Sequence, residues 1–168
     1  MLTTQLTGTF QSIQRTEEEH IEDAARALAQ SIVGDGRVYI KGFGEMEAIH
    51  HEIKSGPESL PDTSVYSEDV TLHHLDRVVV FSRFANDEEA LAFTRHVQEQ
   101  GVEVIQISAA TKEENPLKDT ADFHIDTKVT GPMLPLDMER VGFPTLMGML
   151  YIYYALFVTT KEIISEYE

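Results

Sequence analysis

The run Arg77-Val78-Val79-Val80-Phe81 restricts most what this chain can become. A strand with one wet face alternates apolar and polar residues. This one is apolar and β-branched without a break, as a strand buried on both faces of a helix-covered parallel sheet must be. Strand-like segments also occur at Arg37–Lys41, Ser64–Tyr66, Val102–Ile107 and Ala121–Asp126. Stretches of helical period separate most of them. Strands alternating with helices predict βαβ units, hence an α/β fold with an open, three-layer parallel sheet flanked by helices.

Before the first strand, Leu2, Leu6, Phe10 and Ile13 fall at helical spacing, and Ile21, Ala24, Ala25, Leu28 and Ile32 continue the pattern. Thr16-Glu17-Glu18-Glu19 reads as a capping box, with Thr16 as N-cap and Glu19 reaching back. The sequence therefore predicts two helices, near 3–14 and 17–32, the second stopped at Gly34-Asp35-Gly36. Later helices are expected over Met46–Lys54 and Asn86–Gln100, the latter with Ala90, Leu91, Phe93, Thr94 and Val97 inward and Gly101 as its stop. Residues 1–168 are read as one domain: a helical segment over 1–34, a βαβ core over 35–126 and a C-terminal helix over 142–168. Thr127–Val141 is expected to be a long loop, either a lid or a crossover.

From Val141 to Thr160 there is no charged residue. That length would permit a bilayer span, but Pro144, Gly142, Gly148 and several threonines and tyrosines weigh against one. A buried or subunit-interface helix is the reading adopted. The amphipathic N-terminal helices suit a partner subunit or the domain's own sheet equally, and with the last helix they point to a homodimer through the terminal helices.

Composition narrows the function classes. With 29 acidic against 13 basic residues the formal net charge is −16, which repels nucleic acid and anionic membranes. It leaves room for a small phosphorylated ligand, because a helix N-terminus and one or two local cations can hold phosphate in an acidic protein. The chain has no cysteine, so disulfides, thiol catalysis and cysteine-bound metals are excluded. Met1-Leu2-Thr3-Thr4-Gln5 has neither a basic nor an apolar signal region, and a cytoplasmic protein is expected.

The candidate site lies where strands turn into helices. Arg37–Lys41 runs into Gly42-Phe43-Gly44-Glu45-Met46, a strand–Gly-x-Gly–helix order that can place backbone N–H groups beside a phosphate. The second turn is Ser82-Arg83-Phe84-Ala85-Asn86-Asp87. In open α/β sheets ligands bind at the carboxyl ends of the strands, so Gly42, Phe43, Gly44, Ser82, Arg83, Asn86 and Asp87 are the candidate ligand-binding residues. Glu47 and His51 stand four apart, on one helical face, and with Glu45 are the candidates for proton transfer. Asp87 also suits the first turn of its helix as a capping acid. His50, His51 and Glu52 are consecutive and diverge by about 100° on a helix, so no metal centre or other cofactor is expected.

This order of elements and the two turns resemble the sugar isomerase (SIS) domain family, in particular its phosphoheptose isomerase-like branch, and a small bacillar group of SIS-like proteins. The resemblance covers about 17–125. It implies a serine-rich phosphate loop of the form Ser-x-Ser-Gly-x-Thr-x-Glu at the second turn. Ser82 and Glu89 stand where its first serine and its glutamate would be; Phe84, Ala85 and Asp87 replace the second serine, the glycine and the threonine, and Met46 replaces the serine of the first turn. No histidine lies between Gly142 and Glu168, where the branch's C-terminal helix supplies one. Two functions follow as expectations. One is a non-catalytic or regulatory module that binds a sugar phosphate or similar carbohydrate derivative. The other is a divergent aldose–ketose isomerase with Glu45 or Glu47 as base.

Overall fold

The computed structural model describes residues 1–168. Five parallel strands form one sheet in the order β2-β1-β3-β4-β5, with β1 Val38–Gly42, β2 Thr63–Val65, β3 Arg77–Phe84, β4 Glu103–Ala109 and β5 Phe123–Asp126. Alternation of side chains along each strand splits the core in two. Val38, Ile40, Val79, Phe81, Ile105, Ile107 and Ile125 face one side, where α1 (Leu2–Val33) and α5 (Thr145–Ser165) pack. Tyr39, Val78, Val80 and Val104 face the other, against Ala90 and Val97 of α3 (Glu88–Glu99) and Leu117 of α4 (Pro116–Thr120). The three-layer parallel α/β fold is as the buried β3 run requires.

The N-terminal segment departs from the expectation. It is one helix of 32 residues, not two. Thr16 does not cap: its hydroxyl donates to the Ser12 carbonyl at 2.8 Å, the back-bond of a threonine inside a helix. No glycine or proline separates Ile13 from Glu17, so nothing interrupts the backbone. Along the other side of α1, the Phe10 ring stacks on Tyr151 of α5, centroids 4.7 Å apart. α1 ends at Gly34, and Gly36 then passes so close to β3's approach that a Cβ there would lie 2.2 Å from the Leu75 carbonyl oxygen.

The expected helix over Met46–Lys54 begins earlier, as a 3-10 turn over Gly44–Ala48, and continues as α2, Ile49–Ser55. The expected Thr127–Val141 loop contains a hairpin, β6 Leu134–Leu136 paired antiparallel with β7 Glu139–Val141, and Asp137 (φ 51°) sits in its tip. Two-residue loops of positive φ are what tight hairpins use, and aspartate tolerates that conformation. In α5, Met149, Ile152, Tyr153 and Leu156 are buried, while Phe143 just before it and Met147, Tyr154 and Val158 on its outer side stay exposed. The uncharged run is therefore a half-buried helix, and no helix of the chain is long and apolar enough to cross a membrane.

Candidate functional site

Two loops leave the carboxyl ends of the adjacent strands β1 and β3, and they place the sequence-predicted residues. Gly42 closes β1 under severe crowding: a Cβ there would stand 2.2 Å from the Met46 carbonyl oxygen. Gly44 has φ +60°, the left-handed region that glycine enters without strain. Both glycines of the Gly-x-Gly turn are thus required by the backbone itself. The Gly42 N–H is not free for a ligand, because it donates to Nε2 of His50 at 2.9 Å. His50 must be neutral at Nε2 to accept it, and burial, then the nearby Lys41 charge, lowers its pKa below the ordinary value.

Phe43 packs against the α3-side core, edge-on to Phe93 at 5.7 Å, with the Lys41 ammonium over its ring at 5.0 Å. Met46, where the resemblance implies a serine, is fully buried in the α1/α5-side core. On the second loop β3 runs on to Phe84, beyond Phe81 where the sequence reading ended it, with an irregular register against β4 between Phe81 and Phe84. Ser82 therefore lies in the strand, on the same face as Val78 and Val80, and is fully buried. Its hydroxyl donates to the Phe84 carbonyl at 2.8 Å and accepts from Gln106 Nε2 at 2.8 Å. Asp87 caps α3, its Oδ1 accepting from the Ala90 N–H at 2.8 Å. Asn86 is half-buried just before it and its side chain makes no hydrogen bond within the chain.

What the two loops bring together is Glu45 and Arg83. Arg83 Nε donates to Glu45 Oε1 at 2.6 Å, and the guanidinium lies over the Phe143 ring at 5.3 Å. These three, with Pro144, Leu146 and Met147 at the start of α5, line an open depression of about 350 Å³. Burial alone would raise the Glu45 pKa, but the hydrogen bond from Arg83, a backbone hydrogen bond and the guanidinium charge outweigh it and hold the carboxyl below its usual range. Glu47 and His51 are not part of this depression. They are exposed and line a separate hollow on α2 with His50 and Lys54. No group of three or more histidine, aspartate or glutamate side chains is arranged to share a metal ion.

The sequence reading missed Phe143 and Gln106. Phe143 sits in Gly142-Phe143-Pro144, where the Gly–Pro frame of a helix start was the only signal. Gln106 could have been found: a glutamine at a fully buried position of a central strand needs a buried partner, and Ser82 supplies it.

Comparison with known proteins decides the family. A family model described as a domain of unknown function, DUF2529, matches residues 1–164. The chain belongs to this family. A relative, the uncharacterized protein YwjG of Bacillus subtilis (strain 168), is 36% identical over 99% of this chain and 98% of its own. Among solved structures, phosphoheptose isomerase GmhA from Neisseria gonorrhoeae superposes with a TM-score of 0.72 at 13% identity, covering 95% of each chain. A phosphoheptose isomerase from Francisella tularensis gives 0.69 at 12% identity, again over 95% of each. The sugar isomerase domain of an RpiR transcription factor from Sphaerobacter thermophilus gives 0.61 at 16% identity, over 96% of this chain and 94% of that one. This DUF2529 chain thus has the SIS fold that its strand order and turns resembled.

Proposed function

We propose that the chain is a cytoplasmic, homodimeric SIS-fold module that binds a sugar phosphate or a similar carbohydrate derivative without catalysing its isomerisation. The ligand's phosphate meets Arg83 at the mouth of the depression between the β1 and β3 loops, and Phe143 and the first turn of α5 flank it. The observation that carries the non-catalytic reading is the Glu45–Arg83 pair. A general base for proton abstraction at carbon works best with a pKa raised toward neutrality, whereas Glu45 is held low by the cation beside it. Glu47 and His51, the other candidates, face solvent elsewhere. The Ser82 hydroxyl is already engaged within the sheet, so recognition rests on Arg83, backbone N–H groups and the aromatic wall. Phe143 just before α5 and Met147, Tyr154 and Val158 along its charge-free part, exposed on a chain with net charge −16, support dimerisation through the terminal helices.

The test is calorimetric titration of a hexose or heptose phosphate into the wild type and into Arg83→Ala. Loss of a charge-assisted contact to phosphate is expected to weaken binding by about tenfold or more, with unfolding stability nearly unchanged because the Arg83–Glu45 pair is half exposed. Equal affinity in the two proteins would remove Arg83 from the site.

A further inference from the structure

A second cleft, of about 380 Å³, opens at the far edge of the sheet, where β5 lies beside α1 and α4. Glu17, Lys118, Phe123, His124, Asp126 and Lys128 form much of its wall, and none of them belongs to the strand-end depression. Its centre is an unusual glutamate. Glu17 sits in the middle of α1 yet is only 4% exposed. One carboxylate oxygen, Oε1, accepts the Asp126 N–H at 2.7 Å and faces His20 Nδ1 at 3.2 Å. The other, Oε2, makes no hydrogen bond. Its nearest charged neighbour is Lys128 Nζ at 3.9 Å, beyond hydrogen-bonding reach.

Lys128 is held in place at some cost. Its φ is +62°, a conformation lysine rarely adopts, and its N–H donates to Asp126 Oδ1 at 2.8 Å. Its ammonium also approaches Asp126 Oδ2 at 3.5 Å. An acceptor on a buried side chain, facing the cleft, and an ammonium donor thus stand 3.9 Å apart, too far for a direct hydrogen bond. The gap selects its occupant. An ammonium would be repelled by Lys128 and a carboxylate or phosphate by Glu17. A hydroxyl fits both: placed about 2.8 Å from each atom, it donates to Oε2 and accepts from Nζ.

The rest of the cleft suits the same chemistry. His124 bonds Ser108 Oγ through Nε2 at 2.9 Å, and its Nδ1 has no partner within the chain. Burial lowers its pKa to about 4, so the ring is neutral near pH 7 and can exchange a hydrogen bond with a hydroxyl. The half-buried Phe123 offers an apolar wall, and Lys118 a further donor. We propose that this cleft is a second binding site, separate from the strand-end depression, for a neutral polyhydroxylated ligand such as a free sugar or a cyclitol, with one hydroxyl bridging Glu17 and Lys128.

Amide and imidazole NMR spectra, recorded while glucose or myo-inositol is titrated into the full chain, test this directly. Saturable shifts at Asp126, Lys128 and the His124 ring are expected with at least one of the two. Glu17→Gln, whose amide can still accept the Asp126 N–H but offers no acceptor toward Lys128, should weaken binding by about tenfold. Lys128→Met should do the same from the opposite side of the gap, and serves if the Glu17 variant loosens α1. Arg83→Ala should leave this binding unchanged. The site is overturned if neither compound shifts these three residues, or if both cleft variants bind as the wild type does. Shifts confined to Gly42 and Arg83 would also overturn it, while speaking for the strand-end site.

Discussion

Asp76→Ala is expected to lower the unfolding free energy by about 3 kcal/mol, the loss of two hydrogen bonds to a buried carboxylate at roughly 1.5 kcal/mol each. Asp76 is 3% exposed and stands just before β3, at the amino end of the sheet, opposite the strand-end depression. Its Oδ1 accepts the Arg37 N–H at 2.8 Å and its Oδ2 the His73 N–H at 2.8 Å. One side chain thereby ties the loop entering β3 to Arg37, the residue just before β1. In the alanine variant both N–H groups lose their partner in a partly buried place. For a domain of this size that amounts to a fall in Tm of about 6–12 °C. Asp76→Asn should fall between, since an amide keeps one acceptor and turns a donor toward the other N–H. Urea unfolding of the three proteins measures it. A loss under about 1 kcal/mol for the alanine variant would mean that water already serves these two groups.

Acid should weaken the fold through His124, and the direction follows from its burial. Desolvation drives its pKa from the ordinary 6.5 to about 4, against the opposing pull of Asp126 and Glu17, while Lys118 and His20 push the same way as burial. Between those two values the unfolded chain takes up a proton that the folded chain refuses. The contribution is therefore fully present above about pH 6.5 and is lost as pH falls toward 4. A gap of that size corresponds to roughly 3 kcal/mol. His50, lowered likewise by burial and by Lys41, acts in the same direction, because its protonation breaks the bond from the Gly42 N–H. Stability measured from pH 7 to 4 for the wild type, His124→Gln and His50→Gln separates the two. A wild-type slope that survives unchanged in His124→Gln would show that this ring does not set the acid limb.

The sheet was legible because its strands announce themselves by type: no arrangement but a doubly covered strand suits Val78-Val79-Val80-Phe81. The glycines of the first turn were legible for a similar reason, since Gly42 and Gly44 meet backbone demands that other residues cannot. Where the sequence misled, a local pattern had two physical outcomes. Thr16 and Glu19 match a capping box, but a threonine hydroxyl can equally bond the carbonyl four residues back, and the uninterrupted helix took that course. Ser82 was expected to face a ligand because the strand was ended at Phe81. Carried two residues further, the alternation of Val78 and Val80 puts the Ser82 hydroxyl inside, under α3. The β6–β7 hairpin was hidden by Gly131, Pro132 and Pro135, which read as loop, and by strands too short for alternation to stand out. Two decisive contacts had no local signal at all. Glu45 and Arg83 are 38 residues apart and Glu17 and Asp126 are 109 apart, and only the fold brings each pair together.

The most direct test of the central reading is a thermal-shift titration against hexose, heptose and amino-sugar phosphates, run beside the unphosphorylated sugars, inorganic phosphate and nucleotides. A ligand of the folded state stabilises it by about 2.7 kcal/mol at a hundred times its Kd. Binding at the Arg83 depression predicts a saturating rise in Tm with one class of sugar phosphate that inorganic phosphate does not reproduce, reduced in Arg83→Ala, and with no turnover of the bound compound. A chain whose Tm responds to none of the sugar phosphates, or that isomerises the one it binds, would contradict that reading.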